Sequence, residues 1–163
     1  MSDGTTGQAP GGPAQPGPGR ESATPGPALE PLDEEECLRL ISPGGIGRLA
    51  YSGRFGLTVL PVNYRMHEGS IVFRTEEGSP TDEDLRTGLP GAEYQVAFEV
   101  DDIDSAARGG WSVLIQGAAH HVNSAAEHAS VLAAGVEPWA GGDREHFLRI
   151  MPTRVTGRRV RQG

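Results

Sequence analysis

The sequence predicts a mainly β chain folded as a small barrel, and two observations carry that expectation. Between Ile46 and Thr75, three apolar, β-branched runs are separated by two Gly-containing turns, a three-stranded meander in about thirty residues. Roughly six strand candidates follow one another along the chain, with short helical stretches at the start and between some of them. One helix after every strand would mark an alternating βαβ sheet, and that pattern is missing.

Residues 1–31 are dominated by Gly, Pro, Ala, Ser and Thr and offer almost no large apolar side chain to offset the entropy of ordering them. A disordered tail is expected there, with the folded domain over 32–163. The tail lacks a basic start followed by an apolar run, and no apolar stretch approaches ~18 residues. A soluble, cytoplasmic protein is expected.

Asp33 opens DEEECLRLIS as an N-cap with acids in the first turn, and Cys37, Leu38, Leu40 and Ile41 supply an apolar face. Pro43, Gly44 and Gly45 end this helix. The meander then takes Ile46–Tyr51, a turn at 52–56, Leu57–Met66, a tight turn at 67–69, and Ser70–Thr75. Because Leu57, Val59, Leu60 and Val62 occupy both faces, two-sided burial is expected for the middle strand. A second helix is expected over 79–89, with Ser79 or Thr81 as N-cap and acids at 82–84. Tyr94–Val100 alternates apolar and polar residues, DDID at 101–104 reads as a polar turn, and Trp111–Val122 is a long strand. The stretch 124–134 forms a third helix, GVEPWAGGDRE a loop, and 146–160 one or two closing strands.

The formal net charge is −8, and all fourteen basic residues are Arg. That balance argues against nucleic acid and against an anionic membrane surface as partners. Any anion must be gripped by Arg, hydroxyls or backbone N–H groups. Cys37, the lone cysteine, excludes an intrachain disulfide and reads as a small buried apolar residue.

One stretch points to chemistry. FRTEEGS, 73–79, ends a strand in Arg74 and Thr75, turns at Gly78 and meets Ser79 at a helix start. A guanidinium, one or two hydroxyls and free helix N–H groups then lie near one point, a seat for phosphate. Each part also has an ordinary structural reading, and Glu76 and Glu77 would repel a dianion unless they turn away. In the strand before it, LPVNY places Pro61 where its missing N–H normally costs a ladder bond, which points to a bulge or an interrupted edge. Backbone groups of Val62 and Asn63 would be free there to bond a flat heteroaromatic ring.

These segments, in the order GRLAYSGRFGLTVLPVNYRMHEGSIVFRTEEGS, DEDLRTG, YQVAFEVDDID, GWSVLIQGAAHHV and RIMPTRVTGRR, resemble the pyridoxamine 5′-phosphate oxidase-like family of flavin-binding split barrels, from about Leu32 to Val160. The resemblance implies a six-stranded, Greek-key-like split barrel with short flanking helices, paired as a homodimer with FMN in a groove between subunits. It places Leu60, Pro61, Val62 and Asn63 along the isoalloxazine, Arg74 and Thr75 beside the ribityl chain and phosphate, and Gly78, Ser79 and Thr81 around the phosphate. Trp111 and Ser112 fall where the partner subunit lines the pocket. Many members carry Lys or Arg just after the Gly-Ser turn, where this chain has Pro80 and Thr81, so Arg54, Arg86 or a C-terminal Arg would have to compensate.

The activity implied is flavin-dependent oxidoreduction of a small-molecule substrate. The alternative is a cofactor-binding or storage protein holding flavin, deazaflavin or haem without turnover. No nucleophile with a neighbouring base is evident, and no catalytic side chain is assigned, in keeping with chemistry carried by the cofactor. His120 and His121, adjacent on a strand, face opposite sides and cannot easily chelate one ion, with at least one expected to face solvent. DDID lacks the glycine and distal Glu of a calcium loop. Trp139 reads equally as a lid or a subunit contact. Arg154, Arg158, Arg159 and Arg161 read as a solvated strand end or a supplementary phosphate clamp.

Overall fold

The computed structural model describes residues 26, 28–86, 93–135 and 146–161. Seven strands and three short helices follow in the order β1 (Ala28–Leu32), α1 (Glu34–Ile41), β2 (Gly45–Gly53), β3 (Gly56–His67), β4 (Ser70–Thr75), α2 (Pro80–Asp84), β5 (Tyr94–Asp104), β6 (Gly109–His121), α3 (Ala125–Leu132) and β7 (His146–Arg161). The sheet order is β1-β7-β4-β3-β2-β5-β6, and a further β7–β6 pairing closes it. Strands β2 to β7 therefore form the expected six-stranded ring, every pairing antiparallel.

The long closing strand gives the barrel its split. One edge of β7 pairs with β6 over most of its length. Its other edge pairs with β4 over His146–Ile150 and with β1 over Gly157–Arg161, and among the described residues no strand covers the stretch between. β1 was not expected: Ala28–Leu32 lies in what composition reads as tail, so the ordered chain begins before residue 32. Its own residues carry little apolar drive, and its order comes from β7, which supplies the ladder, and from an Arg161–Glu30 ion pair at 2.9 Å.

Local chemistry explains most element ends. Asp33 caps α1 by accepting from the Glu36 N–H at 2.8 Å. Glu68 and Gly69, with φ of 48° and 73°, make the tight β3–β4 turn, a left-handed pair that matches strand twist. In β5, Val96, Phe98 and Val100 point inward as the alternation requires. Phe98 leaves no room above Gly47, where a Cβ would stand 2.3 Å from its ring. Inside the barrel Leu49, Tyr64, Phe73, Phe98, Ile115 and Ile150 pack with Cys37 and Ile41 of α1. Cys37 is the buried small apolar residue expected, and desolvation followed by the charges of Asp33 and Glu36 pushes its thiol pKa up. A smaller cluster outside the ring, Val72, Phe147 and Val131, seats α3.

Four local expectations are corrected. DDID continues β5 to Asp104, paired throughout with Trp111 to Gly109 and their neighbours, and the turn comes after it. α2 stops at Asp84, capped by Leu85, rather than running to residue 89; residues 87–92 lie outside the described set, as do Trp139 and most of its loop. The β2–β3 register runs unbroken past Pro61, so there is no bulge. Two-sided burial fails for β3: Leu60 and Val62 pack on the core, but Leu57 and Val59 are 90% and 66% exposed.

Candidate functional site

The site is a fork between two strands. β3 and β4 pair from His67↔Ser70 to Tyr64↔Phe73 and then part. Beyond that point Arg74 and Thr75 turn to β7, opposite Phe147 and His146. On the other lip, Leu60, Pro61, Val62 and Asn63 keep β2 on one side and, among the described residues, no strand on the other. This is the interrupted edge that Pro61 points to, the one place a sheet tolerates a residue with no N–H. The two residue groups expected to line a flavin thus face each other across the opening, with unclaimed backbone groups on one side.

Arg74 is the chemical centre of the fork. Its guanidinium carbon stands 4.9 Å from the centroid of the Phe147 ring, and its Nε is buried with no hydrogen-bond partner. A guanidinium stays charged at any physiological pH, and a buried donor left unmade costs about 1–3 kcal/mol. The structure holds Arg74 by stacking and leaves its hydrogen-bonding demand to be met by something else.

Behind Arg74 the chain turns through Gly78 with a φ of +73°. The Ser79 hydroxyl lies 3.1 Å from that of Thr75 and accepts from the Asp82 N–H at 3.2 Å. The Gly78 N–H donates to Asp82 Oδ2 at 2.9 Å. Pro80 has no N–H, so the free helix N–H groups expected here are largely spent inside the turn. Thr81 looks into the barrel mouth, its hydroxyl 3.3 Å from that of Tyr51. Thr75, Gly78, Ser79 and Asp82 are therefore one hydrogen-bonded unit, Thr81 is tied instead to Tyr51, and Arg74 lies on the face of the strand end opposite Thr75.

Most acids around this turn are paired within the chain. Glu77 meets His146 at 3.2 Å, and Arg54 spans Glu83 and Asp84 at 2.7 and 2.6 Å. Asp82, only 1% exposed, receives Arg86 at 2.8 Å and His121 at 2.7 Å besides Gly78. Glu77, Asp82, Glu83 and Asp84 thus each have a partner, and Arg54 is shared between the last two. Burial alone would raise the Asp82 pKa, but the Gly78 N–H, Arg86 and His121 together outweigh it and hold the carboxyl below its ordinary value. A folded-state pKa below the unfolded one adds stability above the unfolded value of about 3.9, and that stability is lost as pH falls through the folded value. Asp82→Asn should shrink the stability difference between about pH 7 and pH 3 in urea unfolding. An unchanged difference would remove Asp82 from the acid response.

Trp111 and Ser112 lie elsewhere in the chain. They pair with Arg159 and Arg158 near the far end of β7. Eleven residues of β7 separate Arg158 from Phe147, a path of ~36 Å at 3.3 Å per residue. There they line a groove of about 700 Å³ with Leu29, Ile103, Leu114 and Arg158. One chain does not bring both halves of the expected site together.

Several residues of the site escaped sequence reasoning. Asp82 looked like an ordinary first-turn acid, and nothing local reveals that β6 delivers His121 to it from thirty-nine positions away. The two histidines do face opposite sides, but neither is solvent-facing as expected: His120 pairs with Glu127 of α3 at 2.8 Å and His121 with Asp82. Phe147 gave no signal beyond its place in an apolar run.

Comparison with known proteins accords with this architecture. The family model for pyridoxamine 5′-phosphate oxidase matches residues 33–159. The uncharacterized protein Rv0080 of Mycobacterium tuberculosis is 31% identical over 145 residues, covering 88% of this chain and 94% of that protein. The solved structure of the FAD-binding protein from Mycobacterium smegmatis is similar with a TM-score of 0.66 and 30% identity, over 82% of this chain and 99% of that one. A conserved protein of unknown function from Corynebacterium diphtheriae is similar with a TM-score of 0.63 and 27% identity, over 80% and 96%.

Proposed function

The chain belongs to the pyridoxamine 5′-phosphate oxidase family, and from that premise we propose that it is a flavoprotein, a homodimer that binds FMN in the β3–β4 fork and serves as a flavin-dependent oxidoreductase. The single observation that carries the reading is Arg74, a half-buried side chain whose buried Nε has an unmade hydrogen bond, beside a strand edge unpaired among the described residues. A phosphate tail and a planar ring with polar edges meet those two needs together. The M. smegmatis protein, named for FAD binding, supports a flavin as the guest.

In this reading Arg74 holds the phosphate at the end of β4, and the Thr75–Ser79 pair supplies a hydroxyl from the other face of that strand end. The backbone of Leu60 to Asn63 bonds the ring edge, and Trp111 and Ser112 reach the site from the second copy, since their own copy holds them at the far end of β7. The bound flavin would supply the hydride or electron transfer at its N5, and the protein would supply orientation, charge and exclusion of water. The dimer has a second argument in the outward face, where no described residue covers Leu57 and Val59.

One observation favours the reading without turnover. Around the fork Glu77, Asp82, Glu83, Asp84, His121 and His146 are all tied to partners, so none of these groups stands ready to move a substrate proton. Carriage of flavin, deazaflavin or haem would need none.

Spectroscopy and mass spectrometry of the purified protein test the assignment. The expected result is a yellow protein that releases FMN on denaturation, one per chain, bleaches when a reduced nicotinamide nucleotide passes it two electrons, and regains its colour when a suitable acceptor takes them. Bound flavin that never changes redox state supports the carrier, and a Soret band supports haem. Protein that stays colourless after incubation with FMN and FAD would overturn the flavin reading.

A further inference from the structure

Asp82 has a role that neither the fold nor the flavin reading uses. It is the one carboxylate buried among the described residues, and its Oδ2 accepts from two donors, the Gly78 N–H at 2.9 Å and Arg86 Nη2 at 2.8 Å. Two donors on one oxygen stand within about 6 Å of each other, so the guanidinium of Arg86 is drawn up against the backbone of the turn that joins Thr75 to Ser79. Arg86 is nevertheless 51% exposed, in contrast to its buried partner. A guanidinium carries five N–H donors, and the bond to Asp82 occupies only part of that fork.

Simple neutralisation does not account for this arrangement. The other carboxylate oxygen, Oδ1, already meets His121 at 2.7 Å, and a side chain serving Asp82 alone gains nothing by leaving half of itself in solvent. The turn also lacks a nearby cation of its own, because Pro80 and Thr81 follow Ser79 and Arg54 is committed to Glu83 and Asp84. Anchoring one nitrogen on a buried carboxylate reduces the rotamer freedom of Arg86 and presents its outer N–H groups beside the turn, at lower entropic cost than a free arginine would incur.

We propose that Arg86 is the second cation of the phosphate seat: Asp82 anchors it, and its outward N–H groups donate to the phosphate of the bound mononucleotide, with Arg74 as the first cation. This rests on the flavin reading and adds to it the residue that stands in for the absent Lys or Arg after Ser79. Asp82 is then a positioning residue, acting on the ligand only through Gly78 and Arg86.

Riboflavin and FMN differ by the phosphate alone, so paired titrations isolate the contact. In Arg86→Ala, the FMN dissociation constant should rise about 10- to 100-fold, the equivalent of one charge-assisted bond, while that of riboflavin changes less than ~3-fold. Arg86→Lys, which keeps the charge and the reach to Asp82, should recover part of the FMN affinity and serves if the alanine variant folds poorly. Equal losses for both ligands would show that Arg86 only shapes the turn, and no loss for FMN would show that it lies away from the phosphate; either overturns the proposal while leaving a flavin site in place. Wild-type protein that binds neither ligand would overturn the flavin reading and this inference with it.

Discussion

Replacing Leu57 and Val59 together with aspartate should turn the protein into a monomer that no longer retains flavin. Both side chains stand on the outward face of β3, 90% and 66% exposed, next to a strand edge that lacks a neighbour among the described residues. The register carries that face across the barrel: Pro61 lies beside Arg48, Arg48 beside Glu99, Glu99 beside Leu114, and Leu114 beside Thr156. Ile46, Ile103, Leu114 and Leu29 are exposed apolar residues of the same sheet, so the surface is apolar well beyond a single residue. Arg48 lies 3.0 Å from Glu99 and 3.1 Å from Asp101, one cation shared by two carboxylates, and desolvation with the Asp101 charge already pushes the Glu99 pKa up. The apolar positions are therefore the ones that gain when water is removed from this surface.

A twofold interface uses each residue twice, so the double substitution alters four side chains in the dimer. At about 1.5–3 kcal/mol for each buried aliphatic side chain, the association constant should fall more than ~10⁴-fold, before the cost of burying carboxylates is added. The isolated chain should suffer little, because the new charges face solvent there. Sedimentation and far-UV circular dichroism check both halves: a monomer with an intact β signature and no flavin is the expected result. A dimer that keeps its flavin would place the interface on another surface.

The sequence made the barrel legible and left the site half-read for one physical reason. Hydrophobic alternation is a local signal, and Val96, Phe98 and Val100 show it as plainly in the chain as in the fold. Turn chemistry is local too, so Glu68–Gly69 and the Asp33 cap fall where residue types put them. β1 could not be seen, since a five-residue stretch containing a proline acquires its order from a partner 131 residues away, Leu29 opposite Val160. The end of α2 was hidden as well: DEDLR continues a helical pattern, but the last turn tightens, with the Arg86 N–H donating to Glu83 three residues back. The pairing of acids with Arg54, His121 and His146 depends on strands meeting at one end of the barrel, which no spacing records. Pro61 was informative because its missing donor is a constraint on its neighbours and is therefore visible before the neighbours are known.

Arg74→Ala should lower FMN affinity by about 100-fold or more while leaving the barrel as stable as before, and the two halves of that expectation have separate causes. A planar guanidinium can meet phosphate through two parallel N–H bonds, each charge-assisted and worth about 1.5–3 kcal/mol, so losing the pair removes more than a single contact would. Stability should hold because the described structure gives this guanidinium no hydrogen bond to lose. Its Nε is orphaned, and its packing is the stack on Phe147 at 4.9 Å, a cation–π contact of about 0.5–2 kcal/mol. Removing the side chain forfeits that contact and also removes an unmet buried donor, whose cost is of similar size and opposite sign. Riboflavin, lacking the phosphate, should bind wild type and variant alike. Arg74→Lys should recover only part of the FMN affinity, because an ammonium offers one point of charge where the guanidinium offers a fork and stacks less well on Phe147. Thermal unfolding of the ligand-free proteins separates the causes: a large fall in midpoint for the alanine variant would mean Arg74 is structural, whereas equal midpoints with unchanged FMN binding would mean the phosphate lies elsewhere.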